Sequence, residues 1–309
     1  MSAPGRIGIC TDSAAQLPAD LIERFGVEVV PITVSIDGEE YLEGIDLQVD
    51  DVTARGCAPR NSGDGGDGGE VRTSQPSPGQ YALAYEQLLE RGCTEILSLH
   101  GPAPDGPTSC SSARLAARQL DAPVRVVDTG AVGFALGCCV WAAGEAIARG
   151  ASIDEAAAAA ESLSGGRVGN LFVVDALGPQ PGRRIQVLTG SPGDGARGAR
   201  GARGAVDVVV EVVVEVDTVL EAVNEIAAAV VGWGHDLLVG IGHADDAAAP
   251  VADALASAVG ETAAVREVVR YRVSASAAAR TGAGTVTCFA FAGGVTPSSA
   301  RALSTPAAS

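Results

Sequence analysis

Short apolar runs that end in acidic or hydroxyl residues, each followed by a helical pattern, constrain this chain more than any other feature. Arg6-Ile-Gly-Ile-Cys10 reads as a buried strand running straight into Thr11-Asp12-Ser13. Residues 18–25 carry a helix pattern closed by Gly26, and residues 27–34 are apolar and β-branched enough for a second strand. A turn at Asp37-Gly38 follows. Further on, 79–91 reads as a helix and 95–99 as a strand. Ser111 or Ser112 is placed to cap a helix running to Leu120, and 124–127 is a strand that ends at Asp128-Thr129. Parallel strands need long crossovers, so this spacing predicts a parallel sheet with helices between its strands. Two Ala-rich helices, from about Val132 and about Ile153, complete an N-terminal Rossmann-like α/β domain at residues 1–164.

Past Gly165 the texture changes. Strands are expected at 171–174 and 185–188. From 206 to 216 every even position is Val, while Asp207, Glu211 and Glu215 share the odd face. That period of two predicts a strand with one buried face. A helix at 219–231, a strand at 236–241, a helix at 247–259 and strands at 265–273 and 285–291 make a mixed α/β domain of 165–292. Residues 293–309 are rich in Pro, Ser and Ala and are expected to be a disordered tail. GxGxxG strings occur at 63–68 and 193–198, but neither lies between a strand and a helix as a dinucleotide site requires. The Gly-Ala-Arg repeat of 195–204 reads as a mobile insertion.

Composition narrows the function classes. The formal net charge is −17, which opposes binding to nucleic acid or to an anionic membrane surface. Hydrophobic residues make up 47% but aromatics only 4%, so the core must be aliphatic. The seven cysteines form no CxxC pair, as expected of reduced thiols in a cytoplasmic protein. The N-terminus lacks a charged-then-apolar signal segment, and no apolar run is long enough for a membrane span. His100, His235 and His243 lack metal-ligand spacing, and no cofactor motif is present, so neither metal nor cofactor is expected.

What stands out is hydroxyls. Thr11, Ser13, Thr73, Ser74, Ser77, Thr108, Ser109, Ser111 and Ser112 all fall in loops after strands or before helices. Such donors, together with backbone N–H groups at helix starts, can hold a carboxylate without a fixed cation. They also serve as helix caps. Asp12 and Asp128 both follow strands at one sheet edge, where they can act as an acid/base pair or as caps.

These loops carry a resemblance. Ile7-Gly-Ile-Cys-Thr-Asp-Ser-Ala-Ala-Gln-Leu-Pro18 resembles the opening strand and TDSxxxLP signature of the DegV family. Val29-Val-Pro-Ile-Thr-Val34 is similar to its VVPLxV strand, Thr73-Ser-Gln-Pro-Ser77 to its most specific motif, and Val126-Val-Asp-Thr129 to its VxDS strand end. The resemblance implies two α/β domains with a long-chain fatty acid between them, its carboxylate held by hydroxyls of the motif loops. It further implies a dihydroxyacetone-kinase-like partner that phosphorylates the acid, this chain being a carrier and not an enzyme. Carried over, the ligand-binding positions are Thr73, Ser74 and Ser13, with Thr108 or Ser109 standing in for the family's SSxLSGT hydroxyls. Departures cluster later in the chain. The family's HxGPG becomes Arg280-Thr-Gly-Ala-Gly284, which puts an arginine where the family has a histidine. Two other readings stand beside the carrier: a small-molecule enzyme using Asp12 or Asp128 as base, and a scaffold that has lost its lipid.

Overall fold

A computed structural model describes residues 6–54, 71–102, 109–164, 167–173, 184–192 and 208–293. In chain order, β1 (Ile7–Asp12) leads through α1 (Ala19–Phe25) to β2 (Glu28–Val30). A hairpin of β3 (Thr33–Ile36) and β4 (Glu39–Leu42) comes next, then α2 (Val49–Ala54) and β5 (Val71–Ser74). Alternation continues through α3 (Pro78–Glu90), β6 (Glu95–His100), α4 (Ser109–Ala117) and β7 (Val124–Asp128) to α5 (Phe134–Ala148) and α6 (Ile153–Glu161). The later part comprises β8 (Gly169–Val173), β9 (Ile185–Pro192), β10 (Val208–Val216), α7 (Val219–Gly232), β11 (Leu237–His243) and α8 (Ala249–Gly260). Strand β12 (Val265–Arg272), α9 (Ala275–Thr281) and β13 (Val286–Ala292) close it.

The expected parallel sheet is present, in the order β2-β1-β6-β7 with every pairing parallel. Its side chains alternate between two helical layers, as the strand period of two requires. Cys10 and Ile96 pack on Tyr81, Tyr85 and Leu88 of α3 and on Ala113 and Ala116 of α4. Ile9, Leu97 and Leu99 point the other way, onto α5 and α6. The second sheet is mixed: β10-β9-β8-β13-β11-β12, with only β11 and β12 parallel. One face of it, through Leu238, Tyr271 and Phe291, meets α5, and the other, through Val239, Ile241 and Cys288, meets α7 and α8.

Helix α5 therefore lies between the sheets. The Phe134 ring stacks on Tyr271 with centroids 3.9 Å apart and planes at 8°, and Trp141 meets Phe291 edge-on at 5.5 Å. Close approach demands small neighbours. A Cβ at Gly240 of β11 would sit 2.0 Å from Cε1 of Phe134, and one at Gly137 of α5 would sit 2.5 Å from the Ala15 carbonyl oxygen.

Three expectations need correction, and one helix was not foreseen. The single strand expected at 27–34 breaks at Pro31, which has no N–H for a ladder, and β3 leaves to form a separate antiparallel sheet, β4-β3-β5. Its hairpin turns at Asp37-Gly38 with φ of 54° and 87°, the backbone that this dipeptide favours. Ser111 and Ser112 do not cap α4 but lie inside it, because the helix starts at Ser109. The valines of β10 do not share one buried face: a bulge between Val212 and Val214 leaves Val212 half exposed and Val216 buried. Helix α9, unforeseen, begins with Ser274 as N-cap, its hydroxyl accepting from the Ala277 N–H. The low-complexity loops, Thr108 and the 294–309 tail lie outside the described residues.

Gly240→Ala should force the Phe134–Tyr271 stack apart and lower stability by about 1–3 kcal/mol, read as a reduced urea midpoint. Adding Phe134→Leu should recover part of that loss, while an unchanged midpoint in the single variant would show that α5 is free to shift.

Candidate functional site

Strands β1 and β6 end side by side at Asp12 and His100, at the carboxyl edge where open α/β sheets place ligands. A cleft of about 130 Å³ opens there. Its polar wall is formed by Asp12, Gln16, Thr73, Gln75, Ser109, Ser274 and Ser276, and Ile32 and Leu136 contribute apolar surface. Thr73 comes from β5, Ser109 from the start of α4, and Ser276 from the first turn of α9. Gly101 belongs to the same wall and has no room for a side chain, since a Cβ would lie 2.4 Å from the Ala131 carbonyl oxygen.

The cleft brings together only some of the residues expected from sequence. Thr73 and Ser109 both line it, and the buried Ser109 hydroxyl donates to Oε1 of Gln75. Ser74 is exposed at the end of β5. Ser13 lies outside the cleft wall: its hydroxyl donates to Glu43 Oε2 at 2.6 Å and accepts from the Ile32 N–H at 3.1 Å. Thr11 is buried and ties β1 to the Leu99 carbonyl at 2.8 Å, and Ser77 closes a capping box with Gln80 at the start of α3. Arg280 falls in α9, four residues beyond Ser276, and its side chain is outside the description. Asp128 is not part of the cleft wall; it is exposed and accepts from the Gly130 N–H at 3.0 Å. The proposed pairing of Asp12 with Asp128 thus has no shared cleft.

Gln75, Ser276 and Glu43 were not foreseen. Glu43 is buried, and besides Ser13 it accepts from the Ser276 N–H at 2.8 Å, which fastens the start of α9 to the hairpin of β3 and β4. The sequence signal for α9 was Ser274 ahead of an alanine run, a standard N-cap pattern.

Behind the cleft wall lies a buried polar chain. The Asp12 carboxylate pairs through Oδ2 with Nδ1 of His100 at 2.9 Å, and the Tyr81 hydroxyl donates to the same oxygen at 3.4 Å. Nε2 of His100 is 2.7 Å from the Ser98 hydroxyl, which accepts from the Tyr85 hydroxyl at 2.9 Å. His100 and Ser98 have no exposure at all and Asp12 only 2%. Burial pushes the phenols of Tyr81 and Tyr85 and the thiol of Cys10 well up, and that of Cys110 to about 11. Among the described residues there is no cluster of three or more metal-ligating side chains, and no helix is long and apolar enough to cross a membrane.

Comparison with known proteins agrees with this architecture. The profile of an uncharacterised protein family, DegV, matches residues 6–178. A DegV domain-containing protein of Streptomyces coelicolor is 38% identical over 171 residues, 55% of this chain and 57% of that protein. One from Deinococcus radiodurans is 37% identical over 153 residues, 48% of this chain and 50% of its own. The matched stretch thus spans about half the length of these relatives. Among solved structures, a fatty-acid-binding DegV family protein of Thermus thermophilus covers 93% of this chain and 99% of its own at 26% identity, with a TM-score of 0.67. A Thermotoga maritima protein for which a fatty acid binding function is described matches at 20% identity and a TM-score of 0.68, over 93% of this chain and 99% of its own, and shares the fold.

Glu43→Gln keeps the shape of the clasp but removes its charge. With two donors left facing an amide, unfolding in urea should show a loss of about 1.5–3 kcal/mol. A variant as stable as the parent would mean that Glu43 does not hold α9 in place.

Proposed function

This chain belongs to the DegV family, and from that premise we propose that it is a cytoplasmic carrier that binds a long-chain fatty acid and presents its carboxylate to a separate, dihydroxyacetone-kinase-like kinase subunit. The observation that carries the reading is that Thr73 of β5 and Ser109 at the start of α4, hydroxyls far apart in sequence, line one cleft. Thr73 has a hydroxyl that can donate to a carboxylate oxygen, and Ser109 can do so once its hydroxyl turns from Gln75. Arg280 takes the position of a family histidine and is the candidate cation for the same headgroup. The two units, 1–164 and 165–292, are the bodies between which the acid would lie.

Magnitudes divide the ligand into two parts. A cavity of about 150 Å³ takes up benzene, so a cleft of about 130 Å³ suits a headgroup and its first carbons. The remaining chain would part the apolar layer beside Leu136 and Phe134. About 0.8 kcal/mol per buried methylene is available to offset that rearrangement.

Native mass spectrometry of the purified protein, with organic extraction, tests the carrier reading. One acyl chain per protein is expected, or uptake of added oleate or palmitate. Neither stoichiometric acyl species nor uptake would leave the scaffold reading in its place. Thr73→Val, which keeps the shape and deletes the donor, should weaken fatty-acid binding by about 1.5–3 kcal/mol, roughly ten- to a hundredfold. Lower thermal stability with unchanged affinity would instead make Thr73 a structural hydroxyl.

A further inference from the structure

Asp12 brings a carboxylate to the same wall as Thr73 and Ser109, where the proposed function seats a second one. Like charges sharing a buried site oppose each other's ionisation. No Arg, Lys or His side chain is among the described residues of that wall. An arginine contributed from position 280 would balance only one of the two anions.

His100 is placed to answer the other, and its surroundings satisfy it in either protonation state. With the ring neutral, Nδ1–H donates to Asp12 Oδ2 at 2.9 Å, and Nε2 accepts from the Ser98 hydroxyl at 2.7 Å, which in turn accepts from Tyr85 at 2.9 Å. With the ring protonated, the chain reverses. Nε2–H donates to Ser98, Ser98 donates to Tyr85, and the Tyr85 hydroxyl turns to the Ala113 carbonyl oxygen, 3.5 Å away. Both hydroxyls can donate and accept, so the reversal leaves no hydrogen bond unmade among these buried side chains.

We propose that Asp12, His100, Ser98 and Tyr85 form a proton relay that couples carboxylate binding to the uptake of one proton. Before binding, the Asp12–His100 pair carries one negative charge. When the ligand carboxylate arrives, a proton from solvent goes to His100, and the pair becomes neutral. The remaining groups around the pair do not compete for that proton. From α3, Tyr81 and Tyr85, from β1, Cys10, and from α4, Cys110 are all held protonated near neutrality by burial. Glu28 and Arg91, which act on Cys10, pair with each other, and Arg114 and Asp128 act on Cys110 with opposite signs.

The inference rests on the carboxylate reading of the cleft, and its test separates the two. Decanoate is titrated into the full chain by calorimetry in phosphate and in Tris, whose ionisation heats differ, at neutral and mildly alkaline pH. The expected result is one proton taken up per decanoate, binding that weakens about tenfold per pH unit on the alkaline side, and no uptake with 1-decanol. The ring nitrogens of His100 should move from the neutral to the imidazolium position in nitrogen NMR spectra when decanoate is added. In His100→Gln, both the uptake and the pH slope should vanish; the parent measurements decide the matter even where that variant fails to fold. Decanoate binding without proton uptake, or equal uptake with 1-decanol, overturns the relay alone. Failure of both decanoate and oleate to bind overturns the carrier reading and the relay with it.

Discussion

Helix α5 has almost no polar side to show to water, and the rest of the molecule is arranged around that fact. A helix that is apolar all round must be enclosed. Here the parallel sheet covers one side through Ile9, Leu97 and Leu99, and the mixed sheet covers the other through Leu238, Tyr271 and Phe291. Each large side chain so buried contributes about 1.5–3 kcal/mol. The one charged residue of α5, Glu145, meets Arg24 at 2.5 Å, Arg149 at 3.0 Å and Arg266 at 3.4 Å, pairs that join α1, α5 and β12 along the rim. The arginines are partly exposed while the carboxylate they share is largely shielded, and each pair taken alone adds little, about 0–1 kcal/mol. The apolar seam holds the sheets together, and the ion pairs mark where it ends.

The cleft inherits its position from this seam. It opens where α5 begins, beside Ala131, Val132 and Gly133, and where α9 reaches across to meet β5 and the hairpin. Two acidic residues close to each other serve different ends there. Glu43 spends both oxygens on fixed donors, Ser13 and Ser276, and acts as a clasp. Asp12 is held from behind by the buried His100 ring and the Tyr81 hydroxyl, and it alone of the two lines the cleft.

The strand and helix periods were legible in the sequence wherever one chain segment decides its own fate: β1, α1, β6, β7, α7 and β11 all lie within a few residues of their expected places. What could not be read was set by distant partners. Pro31 redirects β3 because the sheet it leaves needs a donor that proline lacks. Val212 is turned outward by a bulge that only pairing with β9 defines. Thr73 and Ser109, expected as ligand positions, line the cleft, while Ser13 bonds to Glu43, a residue thirty positions on with no local signature. His100, which follows the strand expected at 95–99, is the last residue of β6 and is bonded through both ring nitrogens.

Strand β13 sits between β8 and β11 in the middle of the mixed sheet, although it comes last in sequence among the described strands. Among the described strands, β8, β9 and β10 on one flank are linked in the sheet to β11 and β12 on the other through β13. On the ribosome, where chains fold from the N-terminus as they emerge, the parallel sheet can form early. The mixed sheet must wait as two open pieces until residues 286–292 leave the exit tunnel. Until then the edges of β8 and β11 stay unpaired, and one face of α5 is left without its cover. Until that strand is available, the nascent protein is exposed to misassembly along these open edges.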